Sequence, residues 1–333
     1  MTSERITVVG AGILGLWQSF VLARSGLKVK LVDRHADPLP HSASAHAGAM
    51  LAPDCEAESA PDIVRELGHE ALRMWCAACP KVKQHGSLVV APARDRPDLV
   101  RFARITRGHD TIAADRIADL EPDLAGLFST ALYFKSEAHI AAPDALAFLL
   151  EAAHAAGCDL HFGQSFEASD REGLVIDCRG YEARDILPDL RGVRGERVLV
   201  KTQEISLSRP VRFVHPRHPL YIVPWGQDRY LIGATMIESA DPGPVSVRSA
   251  MDLLAAAYGV HPAFGEAAIL ELTAGVRPAF PDNVPRARVL DGGRTIAVNG
   301  AYRHGYLLAP VLAEAVAGYI LHSRTHPLLT LSA

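Results

Sequence analysis

Three groups of residues in this chain have types and spacings that could do chemistry. The first is Gly10-Ala11-Gly12-Ile13-Leu14-Gly15, with the acidic Asp33 further on. Glycines at this spacing let a backbone pass close to a pyrophosphate, and an acidic side chain there accepts hydrogen bonds from ribose hydroxyls. The second is Ala274-Gly275-Val276-Arg277-Pro278. An arginine meets a carboxylate through two parallel hydrogen bonds, and the glycine and proline beside it would fix its backbone. Taken by itself, Arg277 equally suits the surface of a Pro-rich loop. The third is Asn299-Gly300-Ala301-Tyr302-Arg303-His304-Gly305, placed before a helix expected to begin near Ala309. Peptide N–H groups near a helix start can stabilise negative charge.

The elements that must position the first group are legible. Ile6 to Val9 reads as a buried parallel strand, Leu16 to Ser25 as an apolar helix ended by Gly26, and Val29 to Val32 as a second strand that delivers Asp33. Within that unit Gly10 permits the tight turn, Gly12 admits the phosphates, and Gly15 lets helix and strand approach. The N-terminus of the helix that follows the turn offers free N–H groups and a dipole that favour an anion. The motif does not separate FAD from NAD. A second GxGxxG is missing, since Gly192 to Gly195 and Gly292-Gly293 do not fit. A flavin here would therefore take its electrons from an organic substrate. The run from His41 to Pro53 is rich in small residues, which suits close approach to a flat ligand or a flexible linker.

Composition bounds the rest. With 333 residues the chain suggests two domains. A hydrophobic content of 49% and a charged content of 22% are ordinary for a globular enzyme. A net charge of -4 and sparse aromatics give no reason to expect nucleic acid or an acidic membrane surface. The sequence shows no signal peptide and no stretch of membrane-spanning length, so the expected compartment is the cytoplasm. Five cysteines, an odd number, suit reduced thiols. Cys76-Ala77-Ala78-Cys79 has the spacing of a dithiol redox motif. It closes an amphipathic run, Ile63, Leu67, Ala71 and Met74, that Pro80 stops, so a structural helix end is expected. Among 15 histidines no HExxH occurs, and no metal is expected.

The small-residue run ends in Gly48-Ala49-Met50-Leu51, with Ala43 and Ser44 upstream. Here the chain resembles the glycine oxidase and D-amino-acid oxidase family of flavoproteins, in particular the thiamine-biosynthesis glycine oxidases. The likeness continues in order through Leu120-Glu121-Pro122, Ala142-Pro143-Asp144-Ala145-Leu146, and Arg191-Gly192-Val193-Arg194-Gly195-Glu196. It then runs through Tyr221-Ile222-Val223-Pro224, Gly233-Ala234-Thr235-Met236, and the Arg277 and Gly300–Gly305 segments. It departs at Ala301, where many relatives have histidine, at His304, where some have asparagine, and at Pro219. These departures leave open which amino acid is the substrate.

The resemblance implies an α/β fold: a Rossmann-like FAD domain with an inserted, mixed and largely antiparallel substrate domain. It divides the chain into 1–58, 138–197 and 273–333 for FAD and 59–137 and 198–272 for substrate. It implies FAD held by Gly10, Gly12, Ile13, Leu14, Gly15, Asp33, Arg34, Ala43, Ser44, Gly48, Ala49, Met50 and Phe166, and by Gly300 to Leu307 (Ala301, Tyr302, Arg303, His304, Gly305 and Tyr306 between them). Arg277 matches the carboxylate-binding arginine, while Arg303, Tyr221 and Met236 match substrate-pocket positions. The implied reaction is oxidation of a small amino acid, glycine first, to an imine. Hydride goes to flavin N5, oxygen or another acceptor re-oxidises the flavin, and the imine is handed to a thiazole synthase. D-amino-acid or sarcosine oxidation on the same fold is the alternative, and a homo-oligomer is compatible with either.

Overall fold

The computed structural model describes residues 5–167, 173–215 and 219–331. Ile6–Val9 is an interior strand of a seven-stranded sheet. It runs parallel to Val29–Asp33 on one side and to Leu174–Asp177 on the other. Asp159–Phe162 extends one flank, and Thr295–Asn299, Arg286–Leu290 and Leu329–Leu331 extend the other. Ile6–Val9 is buried at every position, which is why it is apolar except at Thr7.

A second, nine-stranded sheet is antiparallel except where Val211–Phe213 runs parallel beside Ser87–Val90. Its organising element is Arg191–Lys201, which pairs antiparallel with Arg229–Gly233 on one edge and with Ala268–Ala279 on the other. A short pair, Met50–Leu51 with Ala138–His139, lies between the two sheets in the chain. Leu199, Val223, Trp225 and Leu231 of the second sheet share one core cluster with the helices on the first, so the sheets meet through packed apolar side chains.

Four helices cover the first sheet. Ile13–Arg24 is buried almost all round, with Trp17 set edge-on against Trp75 of the helix Asp62–Ala78 at 4.9 Å between centroids. The helix Ala142–Ala155 carries Pro143 in its first turn and is followed by Gly157 at φ +93°. In Asp62–Ala78 the buried face is Val64, Gly68, Ala71, Leu72 and Trp75, rotated from the expected stripe, of which Ile63, Leu67 and Met74 are only half-buried. Gly68 sets this rotation, because a Cβ there would come within 2.9 Å of both Leu307 and Pro53.

The last helix also differs from expectation. It runs Gly305–His322, starting ahead of Ala309, with Pro310 inside it. Proline has no N–H to give the carbonyl of Tyr306 one turn back. Trp75 Nε1 donates to that carbonyl at 2.6 Å and supplies the missing bond. This helix is long and apolar enough to cross a bilayer, contrary to the sequence expectation. It is 67% buried inside the fold and packs as a core helix.

Candidate active site

The Gly10–Gly15 turn is held by close contacts that admit no side chain. Gly10 has φ +100°, and a Cβ there would lie 2.7 Å from the Cys178 carbonyl oxygen. A Cβ on Gly15 would lie 1.8 Å from the Gly10 carbonyl oxygen. At Gly12 a Cβ would meet Ser44 Oγ at 3.4 Å, an ordinary contact, so this part of the turn is less tightly packed. Asp33 lies across the turn. Its Oδ2 accepts from Ala11 N at 2.8 Å and its Oδ1 from His35 N at 2.9 Å. The carboxylate therefore also clamps the loop, a role beyond the ribose contact expected of it. Arg34 is exposed and paired with Glu182 at 3.0 Å. Phe166 is half-buried after Asp159–Phe162.

Ser44 joins two helix starts. Its hydroxyl accepts from Ile13 N at 3.0 Å, and its carbonyl accepts from Tyr306 Oη at 2.9 Å. Ala43–His46 forms a short 3-10 turn around it, Gly48 and Ala49 follow, and Met50 opens the short strand. On the opposite side, Gly300 has φ +75° because the Phe280 ring occupies the space a Cβ would need. Tyr302 N donates to Pro278 O at 2.8 Å, which binds the Gly300–Gly305 loop to the strand that carries Arg277. His304 and Leu307 are buried, and Ala301 is half-exposed.

The strand Ala268–Ala279 presents Arg277. Its Nη1 donates to Thr235 O at 3.1 Å, and its guanidinium covers Gly195, where a Cβ would sit 2.1 Å from Nη2. Burial lowers the Arg277 proton affinity, and the Arg303 cation lowers it further. The Tyr221 ring is wedged between two glycines, with a Cβ at Gly48 or Gly233 coming within 2.8 or 2.9 Å of it. Met236 lies past the strand Arg229–Gly233 and is 53% exposed. Its sulfur is 3.6 Å from both Tyr302 Oη and Arg303 Nη1. Arg277, Arg303, Tyr221 and Met236 thus gather at one place, together with Tyr302.

Sequence reasoning missed the ions behind them. Arg303 Nη2 lies 3.5 Å from Glu56 Oε1, which also accepts from Arg212 Nη2 at 2.7 Å. His304 Nδ1 is 3.4 Å from Glu56 Oε2, an ion-pair distance without good hydrogen-bond alignment. Burial would raise the Glu56 carboxyl, but Arg303 and Arg212 outweigh it and hold the group well below the usual carboxylate range. Next to it, Glu137 accepts from Cys55 N at 2.7 Å and from the Ser87 hydroxyl. Burial pushes Glu137 up to about 7 despite Arg212 nearby. Arg197 is buried between His46 Nδ1 at 3.0 Å and Glu271 at 2.9 Å, with Nε and Nη1 unpartnered. Glu56 follows directly on the small-residue loop, which was the one available signal. Arg212 and Glu137 stand in segments that carry none.

A glycine turn, two adjoining helix starts and the unpartnered donors of buried Arg197 fit a large cofactor with a pyrophosphate and a polar ring. A profile described as DAO, FAD dependent oxidoreductase, matches residues 5–319. The chain belongs to this family. Its cofactor is FAD, and its chemistry is oxidation and reduction. This oxidoreductase is 51% identical over 324 residues to the putative thiamine biosynthesis oxidoreductase ThiO of Rhizobium etli, covering 97% of this chain and 98% of that protein. It is 25% identical over 361 residues to the bifunctional protein ThiO/ThiG of Trichormus variabilis, covering 98% of this chain and 54% of that protein. Among solved structures it resembles glycine oxidase from Geobacillus kaustophilus, with a TM-score of 0.78, 25% identity and coverage of 97% and 96% of the two chains.

Proposed function

We propose that this FAD-dependent oxidoreductase oxidises glycine to its imine and passes the imine to thiazole formation in thiamine biosynthesis. The observation that carries the reading is Arg277, a half-buried guanidinium whose side-chain hydrogen bond goes to a carbonyl, beside Tyr221. Among the described residues no carboxylate lies within ion-pair distance of Arg277, and a substrate carboxylate would supply that partner. Arg277 then fixes the carboxylate in two-pronged geometry, so the α-carbon is oriented before it reacts. Tyr221, Met236 and Tyr302 bound the remaining space, which suits a substrate with little or no side chain.

FAD supplies the two-electron acceptor, taking the hydride lost from the α-carbon. Glycine also loses a proton from nitrogen, and the products are the imine and the reduced cofactor. Oxygen as re-oxidant would leave as hydrogen peroxide. The Gly10–Gly15 turn with Ile13 and Leu14 would hold the pyrophosphate, and Asp33 the ribose. The segment Ala43–Met50 and the Gly300–Leu307 loop would hold the ring. Arg34, already paired with Glu182, and Phe166 would lie at the adenosine end. The domain division at residues 58, 137, 197 and 272 belongs to this reading, with the helix Asp62–Ala78 packing back onto the FAD side. So does a cytoplasmic setting. Support for the hand-off comes from the relative that bears ThiO and ThiG names on one chain.

Anaerobic addition of glycine to the purified holoprotein tests this. Glycine is expected to bleach the flavin absorbance. Bleaching by D-amino acids or sarcosine with none by glycine would replace this reading with the alternative substrate on the same fold.

A further inference from the structure

Two arginines of this site differ in their partners. Arg277 is bonded to a backbone carbonyl. Arg303 is held against a carboxylate: Glu56 Oε1 lies 3.5 Å from its Nη2, while Ser59 Oγ lies 3.4 Å from its Nη1. The Glu56 side chain is buried, and Arg212, 8% exposed at its side chain, grips the same oxygen at 2.7 Å. Glu56 therefore cannot swing into water to release Arg303 without breaking the 2.7 Å pair that holds the buried Arg212. Arg303 is also close enough to Arg277 for its charge to be felt there.

We propose that Glu56 is a specificity-determining counter-ion, which neutralises Arg303 and leaves Arg277 as the guanidinium available to substrate, so that the pocket takes amines bearing one carboxylate. This rests on the proposed role of Arg277. The chemistry is one of subtraction. Two free guanidinium groups in one pocket would favour a ligand with two carboxylates, such as an N-carboxymethyl amino acid. With Glu56 in place the second carboxylate meets an arginine already satisfied, and it meets the Glu56 charge behind it. A second carboxylate then gains nothing and is desolvated at a cost.

The first test needs no variant. Calorimetry of the wild-type holoprotein with malonate and with acetate should show malonate binding no tighter than acetate. Clearly tighter malonate binding would overturn the proposal. The second test is Glu56→Gln in the holoprotein. The affinity ratio of malonate to acetate should rise about ten-fold or more, the scale of one charge-assisted contact. The ratio of kcat/KM for iminodiacetate to that for glycine should rise in the same direction. Glu56→Asp, which keeps the charge, should stay near the wild-type ratios. A folded, flavin-loaded Glu56→Gln protein with unchanged ratios refutes the idea. If that variant does not fold, Glu56→Gln combined with Arg212→Met removes the stranded cation and should give the same rise. Failure of glycine to bleach the wild-type flavin would count against the proposed function alone, because the malonate and acetate comparison does not require turnover.

Discussion

At the turn from Gly10 to Gly15 the atoms offered to a ligand are backbone N–H groups, and what shapes them is the absence of side chains. Around Arg277 the atoms offered are guanidinium, phenol and thioether groups, and what shapes them is a set of buried charges. The first region is built from one continuous stretch plus Asp33. The second draws on Glu56, Arg212, Tyr221, Arg277 and Arg303, which come from five separate segments. A backbone site tolerates no change in volume, because the loop has no slack. A side-chain site tolerates changes of volume better than changes of charge, because each ion is held by another.

That contrast sets the expected order of effects. Gly15→Ala should be the most damaging change, since its Cβ would fall 1.8 Å from a backbone oxygen that no rotamer can move. Loss of FAD from the purified protein, with a stability loss of several kcal/mol or no soluble product, is expected. A Gly15→Ala protein that stays yellow with wild-type melting would break the backbone half of the comparison.

Glu137→Gln probes the charge half. The folded carboxyl is raised from 4.5 to about 7, so its stabilising contribution is present below 4.5 and is lost as pH rises through about 7. Relative to Glu137→Gln, the wild type should lose about 3 kcal/mol of stability across that window and level off above it. Urea melts of both proteins at several pH values measure this. A pH-independent difference between them would show that the buried carboxyl does not titrate in the fold.

Arg277→Ala should leave folding and flavin content intact and lower kcat/KM for glycine. The lost charge-assisted contact is worth roughly 1.5–3 kcal/mol, about ten- to a hundred-fold. Lysine should rescue poorly, since it brings charge without the fork. Stopped-flow reduction of the flavin is the measurement, and wild-type rates at wild-type glycine concentrations would remove Arg277 from the site and turn attention to Arg303.

The smallest effect is expected for the Cys76→Ala, Cys79→Ala double variant. Both thiols are free, at the end of the helix Asp62–Ala78, and burial raises both. Raised thiols are poor nucleophiles. Flavin reduction should be unchanged and stability should fall by no more than about 1 kcal/mol. Loss of flavin reduction in the folded double variant would restore a redox role to the pair.

The sequence by itself determined the strand Ile6–Val9, the glycine turn, the helix after it and Asp33 at the end of Val29–Asp33. Those signals are local: strand burial, the need for glycine at positive φ, and helix periodicity all act over a few residues. It also placed Arg277 and Arg303 in glycine-bounded segments. It placed the start of the last helix near Ala309, later than the observed Gly305, and Pro310 lies inside that helix. The compensating donor, Trp75 Nε1, lies 231 positions away. Only the tertiary structure decided that Glu56 meets Arg212 across 156 positions and Arg303 across 247. An ion pair has no sequence period and no required spacing, and its strength depends on how far the fold removes it from water. The backbone half of the site was therefore legible from residue types in order, while the charge half exists only once distant segments have packed together and buried Glu56 and Arg212.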